Sequence, residues 1–294
     1  MCGITGGVWT DRGKALDAAT LARMTDALAH RGPDGRGEFR SDVALHPGSD
    51  AMGSVALGHR RLAILDLPGG SQPMANEDET VQVVFNGEIY NFKPLRQKLE
   101  AAGHRFRTQS DTEVLVHLYE EHGPAMLNEL VGMFGFALWD ARERRLLLAR
   151  DRLGQKPLVY RHEPGRLLFA SELKSLLAVP GLPRELDPQA LDDYITYQYV
   201  PHPRCIFRGY AKLPPGCYAL WQADRLEVHR YWQPNFHLEA ERPFEQSAAE
   251  LRALLTESVR VRLQSDVPLG AFLSGGLDST VIVGLMRELG ASPL

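Results

Sequence analysis

Met1-Cys2-Gly3-Ile4-Thr5-Gly6-Gly7 opens the chain with a cysteine directly behind the initiator methionine. A small residue at position two normally lets that methionine be trimmed, which would leave Cys2 with a free thiol and a free α-amino group. A thiol with a pKa of about 8.5 is only a few per cent thiolate near neutral pH. An α-amino group, at about 7.7 to 8.0, can take the thiol proton and later return it to a leaving amine. Nucleophile and base would then share one residue. Glycines 3, 6 and 7, interleaved with Ile4, Val8 and Trp9, fit a short buried strand that another backbone or a ligand approaches closely. They equally fit turns flanking an edge strand.

Working outward, the 294 residues suggest about two domains with ample chain for a core. Hydrophobic content of 44% and charged content of 24% are ordinary for a globular protein. A net charge of -4 without long basic runs argues against a nucleic-acid surface. Glu143 interrupts the Arg142, Arg144, Arg145 cluster, which reads as a solvated turn. No apolar segment approaches the roughly eighteen residues needed to span a membrane, and no signal-peptide core is present. A cytoplasmic protein with Cys205 and Cys217 reduced is the expectation.

Strands are expected at Ala56-Leu57-Gly58, Val81 to Phe85, Met133 to Trp139, Arg145 to Ala149, Leu167 to Ala170 and Cys217 to Trp221. Leu21, Met24 and Leu28 have helical spacing, and that helix stops before His30-Arg31-Gly32-Pro33-Asp34-Gly35. Leu95 and Leu99 mark a helix that Gly103 ends. Ser110 or Asp111 can cap the next one, and Asp187-Pro188 starts another whose Leu191, Tyr194 and Ile195 are expected to face inward. Prolines recur between 199 and 243, which places a domain boundary in the 220 to 240 region, ahead of an amphipathic helix carrying Leu251, Leu254, Leu255 and Val259.

Three constellations carry chemistry. Asn86-Gly87-Glu88 is expected just beyond a strand end, where the Asn86 amide and the Gly87 N–H can cradle an oxyanion, although Asn-Gly is first of all a turn. Arg61 can grip a carboxylate through its bidentate fork while Asp111 receives an α-ammonium, but each is equally suited to a surface salt bridge. Ser274-Gly275-Gly276-Leu277-Asp278-Ser279 lies between the apolar run Val267 to Leu273, read as a strand, and the apolar helix Val281 to Leu289. Strand, glycine-rich turn and helix N-terminus favour phosphate, with Asp278 available to magnesium. The loop has neither the lysine of a Walker A motif nor dinucleotide glycine spacing.

Taken together, these residues resemble the glutamine-hydrolysing asparagine synthetases of B type. Met1-Cys2-Gly3-Ile4, Arg31-Gly32-Pro33-Asp34, Asn86 to Asn91, Ser110-Asp111 and Asp151-Arg152 with Lys156-Pro157 match that family's class II glutamine amidotransferase domain in order and approximate spacing. Ser274 to Ser279 resembles its pyrophosphate loop, and Tyr199-Val200-Pro201 and Lys212 to Gly216 its connector. The resemblance implies an α+β fold. A four-layer αββα N-terminal-nucleophile domain with connector would span 1–225, and the start of a parallel α/β ATP pyrophosphatase domain 240–294.

By the same resemblance, Cys2 is the glutaminase nucleophile, and Asn86 and Gly87 form the oxyanion hole. Arg61, Leu65, Asn86, Glu88 and Asp111 bind glutamine, with main-chain contacts around Arg61 to Leu65. Phe272 contacts adenine, Ser274, Gly275, Gly276, Leu277, Asp278 and Ser279 hold pyrophosphate, and Asp278 holds Mg2+. Glutamine, aspartate and ATP would be the substrates, ATP and Mg2+ the cofactors, and a homodimer the assembly. The family's synthetase domain runs on for roughly another domain length, so this chain is expected to carry the glutaminase half and a fragment of the other. A class II amidotransferase serving another adenylated carboxylate, and a non-catalytic binding domain, are the alternatives.

Overall fold

The computed structural model describes residues 1–44, 52–236 and 242–291, so positions 240, 241 and 292–294 of the expected second domain lie outside the described residues. The chain divides into two compact units, Met1–Ala63 with Pro68–Gln233, and Ile64–Leu67 with Pro234–Leu294.

The first unit begins with β1 (Gly3–Trp9), α1 (Ala18–Asp26), β2 (Gly35–Ala44), β3 (Met52–Arg61), β4 (Met74–Ala75) and β5 (Val81–Ile89). Helices α2 (Phe92–Ala102) and α3 (Glu113–His122) precede β6 (Gly132–Asp140), β7 (Arg145–Arg150), β8 (Val159–Glu163) and β9 (Arg166–Ala170). It ends with α4 (Leu173–Leu176), α5 (Pro188–Tyr197), β10 (Ala211–Lys212), β11 (Cys217–Gln222) and β12 (Arg225–Arg230).

Among the described residues these strands form two six-stranded sheets, ordered β10-β8-β9-β1-β3-β2 and β12-β11-β7-β6-β5-β4. Every pairing is antiparallel. The sheets face each other. Ile4, Val8, Val55, Leu57 and Phe169 of the first meet Val84, Ala137, Trp139, Leu148 and Trp221 of the second in one buried cluster. Each such side chain contributes about 1.5 to 3 kcal/mol relative to exposure. Because side chains alternate along a strand, Trp9, Ala56 and Leu168 point to the opposite face, under Leu21 and Met24 of α1 and Leu176 of α4. On the far side Val83, Phe85, Phe136 and Leu138 are buried, and α3 packs over β4 and β5 with α2 against it. The result is the four-layer arrangement expected from the resemblance.

The glycines of β1 have a specific reason. A Cβ at Gly6 would lie 2.1 Å from the Ala56 carbonyl oxygen, and one at Gly7 2.8 Å from that of Leu167. Close approach by β3 and β9 on either side therefore requires them, and β1 is a central strand.

Local signals hold where the chemistry is local. Gly103 ends α2 at φ 107°, and Asp187 accepts from the Gln189 N–H at the start of α5. The inward face expected for α5 is corrected, because Leu191, Tyr194 and Ile195 are 42%, 49% and 66% exposed and Ala190 alone of that helix is buried. Amphipathic spacing marks an apolar stripe but not whether a neighbour covers it. All three cysteines are free thiols.

The second unit holds α6 (Phe244–Arg262) and α7 (Leu277–Glu288), joined by a small core of Val259, Leu285 and Met286. The run Val267 to Leu273 is irregular rather than a strand, and Phe272 is fully exposed. A strand exists only against a partner that takes its backbone hydrogen bonds, and among the described residues this unit contains none. No described helix is long and apolar enough to cross a membrane.

Candidate active site

Strand parity gathers the site. Ile4 and Val8 face the gap between the sheets, so Cys2 continues that face just beyond the end of β1. Val55 and Leu57 do the same on β3, which turns His59 and Arg61 inward at its end. Val84 does so on β5, which turns Asn86 and Glu88 inward. All five therefore converge at one mouth of the sandwich.

The Leu62 N–H donates to Cys2 Sγ at 3.3 Å, and Sγ lies 3.6 Å from the Leu62 carbonyl oxygen. Burial pushes the thiol pKa up, opposed by the Leu62 contact, raised further by Asp111 and lowered by Arg61. Arg61 and Asp111 thus both act on Cys2, from the end of β3 and from the turn before α3. Burial pushes the α-amino group, which belongs to Met1 here, down.

The Arg31-Gly32-Pro33-Asp34 turn holds this geometry together. Arg31 Nε donates to the Cys2 carbonyl at 2.9 Å and Nη1 to Glu172 at 2.7 Å. A Cβ on Gly32 would sit 2.5 Å from the Arg61 nitrogen, so only glycine lets the turn lie on that backbone. Asp34 Oδ2 accepts the Ala63 N–H at 2.9 Å and fixes the loop that carries Leu62.

Asn86-Gly87-Glu88 lies inside β5, which runs on to Ile89, rather than beyond the strand end at Phe85 as expected. The turn alternative is therefore excluded. Asn86 is 1% exposed, and neither its Oδ1 nor its Nδ2 has a hydrogen-bond partner. Such a group costs about 1 to 3 kcal/mol and calls for an explanation. A Cβ on Gly87 would fall 2.2 Å from the Met133 carbonyl oxygen, so β6 demands glycine there. Phe134, opposite Gly87, gives its N–H and its carbonyl to Asp151. The Gly87 N–H consequently points out of the other edge of β5, between the N–H groups of Phe85 and Ile89. Those two are taken by Gln72 Oε1 at 2.6 Å and Asp111 Oδ2 at 2.8 Å.

The sequence offers Ser110 or Asp111 as the cap of α3. Instead Thr112 occupies the cap position, and the Asp111 carboxylate turns to β5. It is 5% exposed, and burial, with Glu88 nearby, raises its pKa to about 7. Glu88 also acts on Lys156, whose ammonium burial pushes down.

Five further residues contribute to the site. Arg31 and Lys156 lay in motifs already quoted, and Lys156 is 6% exposed beside the N-terminus, its Nζ 3.4 Å from Met1 Sδ. Asp151 shapes the loop beneath it, accepting N–H groups of Phe134, Leu153, Gln155 and Lys156 at 2.9 to 3.1 Å. His59, buried and pushed down to about 3 by desolvation, is neutral, with Nε2 3.2 Å from the Phe85 carbonyl that fixes its tautomer. Parity with Arg61 was the only signal for it. Gln72 had none.

The remaining expected residues lie elsewhere. Leu65 groups with the second unit, where Ile64 and Asp66 bond to Asp266. In the Ser274–Ser279 turn Gly275 has φ 81° and Ser274 Oγ lies 3.0 Å from Ser279 Oγ, with Leu277 and Asp278 exposed at the start of α7.

Residues 1–232 match the family described as a glutamine amidotransferase domain, and residues 250–294 match asparagine synthase. Asparagine synthetase [glutamine-hydrolyzing] 3 of Bacillus subtilis is 39% identical, over 100% of this chain and 47% of the relative. Asparagine synthetase [glutamine-hydrolyzing] 1 of the same organism is 37% identical over 98% and 44%. The chain thus spans about half the length of the curated relatives it matches. Among solved structures, a glutamine phosphoribosylpyrophosphate amidotransferase from B. subtilis, complexed with ADP and GMP, shares the fold. Its TM-score is 0.55 at 20% identity, covering 99% of this chain and 64% of that one.

Proposed function

Because the chain belongs to the glutamine amidotransferase domain family, we propose that Cys2 hydrolyses glutamine and that the ammonia serves the ATP-dependent amidation of aspartate to asparagine. The observation that carries this reading is the buried Asn86 amide, without a partner at either polar atom, on the same inward face of the sandwich mouth as Cys2.

In the proposed reaction Sγ attacks the side-chain carboxamide carbon, forming a C–S bond as the carbonyl electrons move to oxygen. Asn86 Nδ2 and the Gly87 N–H receive that oxyanion. Removal of Met1 would put the α-amino group on Cys2 itself, where it takes the thiol proton and passes it to the departing nitrogen. Ammonia leaves, and water then cleaves the thioester to glutamate. Arg61 pairs with the substrate α-carboxylate. Asp111, a buried carboxylate next to Glu88, gains most from the positive charge of the α-ammonium.

In the second unit the Ser274–Ser279 turn offers helix N-terminal N–H groups and two hydroxyls, a set that suits the pyrophosphate of ATP. Phe272 presents an open ring face to adenine. Mg2+ bound chiefly by phosphate oxygens and water would take one carboxylate from Asp278, and it would neutralise charge on the leaving pyrophosphate. We assign the glutaminase half alone to these 294 residues. Its proposed residues, Leu65 apart, lie in the first unit, and the described second unit has no sheet on which to build the synthetase half.

The test is glutamate and ammonia release by the purified chain, with the thioester trapped by hydroxylamine. Cys2→Ala should lose essentially all activity, and unchanged hydrolysis would overturn the assignment. Supplied with aspartate, ATP, magnesium and ammonia, the chain should form no asparagine. Stoichiometric asparagine and pyrophosphate would refute the restriction to the glutaminase half.

A further inference from the structure

Glu77, His104, His117 and Glu120 come together in the first unit from the turn before β5, the segment after α2, and one face of α3. One nitrogen or oxygen of each lies within 4.8 Å of the others. His117 Nδ1 is 3.4 Å from Glu77 Oε2 and 3.3 Å from Glu120 Oε2. His104 Nδ1 is 3.7 Å from Glu77 Oε1 and 3.7 Å from Glu120 Oε2. None of these is a good ion-pair hydrogen bond, which would be about 2.7 to 2.9 Å. They match instead the edge of a tetrahedron with metal–ligand bonds of about 2.1 Å, which is roughly 3.4 Å.

The surroundings support the same geometry. The outward nitrogen of His104 meets a further carboxylate, whereas that of His117 is buried without a hydrogen-bond partner, with Glu113 beyond hydrogen-bond distance. His104 Nε2 is 2.9 Å from Glu121 Oε1, and His117 Nε2 is 3.9 Å from Glu113 Oε1. A carboxylate behind a ligating histidine, as Glu121 stands behind His104, places the proton on the outer nitrogen and leaves the inner one as a donor to metal. Glu113 is itself held by the N–H groups of Arg107 and Thr108. Neutral donors orient the two ligand carboxylates as well. Arg105 N–H binds Glu77 Oε1 at 2.9 Å and Asn76 Nδ2 binds Glu120 Oε1 at 2.7 Å.

We propose that these four residues form a structural zinc site that pins α3 to the turn preceding β5. Two imidazoles and two carboxylates suit a borderline ion better than calcium or magnesium. Four protein ligands close the coordination shell, and a divalent cation neutralises the two carboxylates. The site does not depend on the glutaminase assignment.

Tag-free protein carrying Cys2→Ala, which removes the accessible thiol as a competing ligand, is dialysed against zinc chloride and its metal content is measured. About one zinc per chain is expected, with a thermal midpoint that rises with zinc and falls with chelator. His104→Ala and Glu77→Gln should abolish that response, and Glu121→Gln should weaken zinc affinity roughly 10- to 100-fold. Circular dichroism in chelator identifies any variant that fails to fold, and the isosteric Glu77→Gln and Glu121→Gln then decide. Substoichiometric zinc in the parent, or equal affinity in parent and both isosteric variants, would overturn the proposal.

Discussion

The Asp111 carboxylate accepts the backbone N–H of Ile89 at 2.8 Å, across 22 positions of sequence. Gln72 does the same for Phe85 at 2.6 Å, so two side chains occupy the donors flanking Gly87 on the open edge of β5. The Gly87 N–H lies between those two donors, and the Asp111 contact joins the residue proposed for the α-ammonium to the strand proposed for the oxyanion.

Asp111 should leave a pH signature. Its pKa in the folded chain is about 7, above the ordinary carboxylate range, because it is buried. The folded chain therefore keeps a proton that the unfolded chain releases. The associated stability is fully present below about pH 4 and is lost as pH rises through about 7. Urea unfolding between these limits should show the parent losing a few kcal/mol relative to Asp111→Asn. In kcat/KM for glutamine, which reports the free enzyme, a limb near pH 7 should rise as Asp111 ionises. Parallel stability profiles in the two proteins would contradict the shift.

Replacing Asn86 should separate activity from stability. Asn86→Leu removes a buried amide that lacks partners, and loss of one oxyanion donor typically costs on the order of a hundredfold or more in turnover. Thermal unfolding should show a midpoint equal to or above that of the parent. A large drop in stability would mean that the amide serves the fold.

Arg61→Ala should weaken glutamine binding by roughly 2 to 5 kcal/mol, much of it from the charge left unpaired. The loss should appear in KM and leave the reactivity of Cys2 toward a small thiol reagent within a few fold. Near-normal KM would return Arg61 to a structural role at the end of β3.

Asp151→Ala should be among the most damaging substitutions outside the site. Its carboxylate accepts four backbone N–H groups, and bonds to charged groups contribute about 1.5 to 3 kcal/mol each without being additive. Equilibrium denaturation should register a loss of at least about 3 kcal/mol. Glutaminase activity should fall with it, since Lys156 rides on the same loop. A variant with parental stability would refute the role.

Much of the architecture was legible because it rests on short-range chemistry. Alternating apolar residues at Val81 to Phe85 and Met133 to Trp139 mark strands whatever they pair with. Gly103 and Asp187-Pro188 end and start helices through their own backbone geometry. Burial without a local pattern was not legible. The apolar stripe of α5 reads like a core helix yet stands in the open, and Val267 to Leu273 reads like a strand yet is irregular, with no strand among the described residues of its unit.

For the site, the chain by itself marked the candidate nucleophile, since position two is a property of order alone, and it marked which tripeptide and which arginine and aspartate had suitable chemistry. Tertiary structure decided that they meet. Antiparallel registers set Gly3 opposite Arg60 and Asn86 opposite Gly135, and the two sheets then closed on a shared apolar face. The same long-range pairing turned Asp111 away from its own helix and brought Glu77, His104, His117 and Glu120 to one point. Side-chain periodicity says which face of a strand or helix a residue occupies. Only the packing of those faces, driven by burying them together, says what lies across from it.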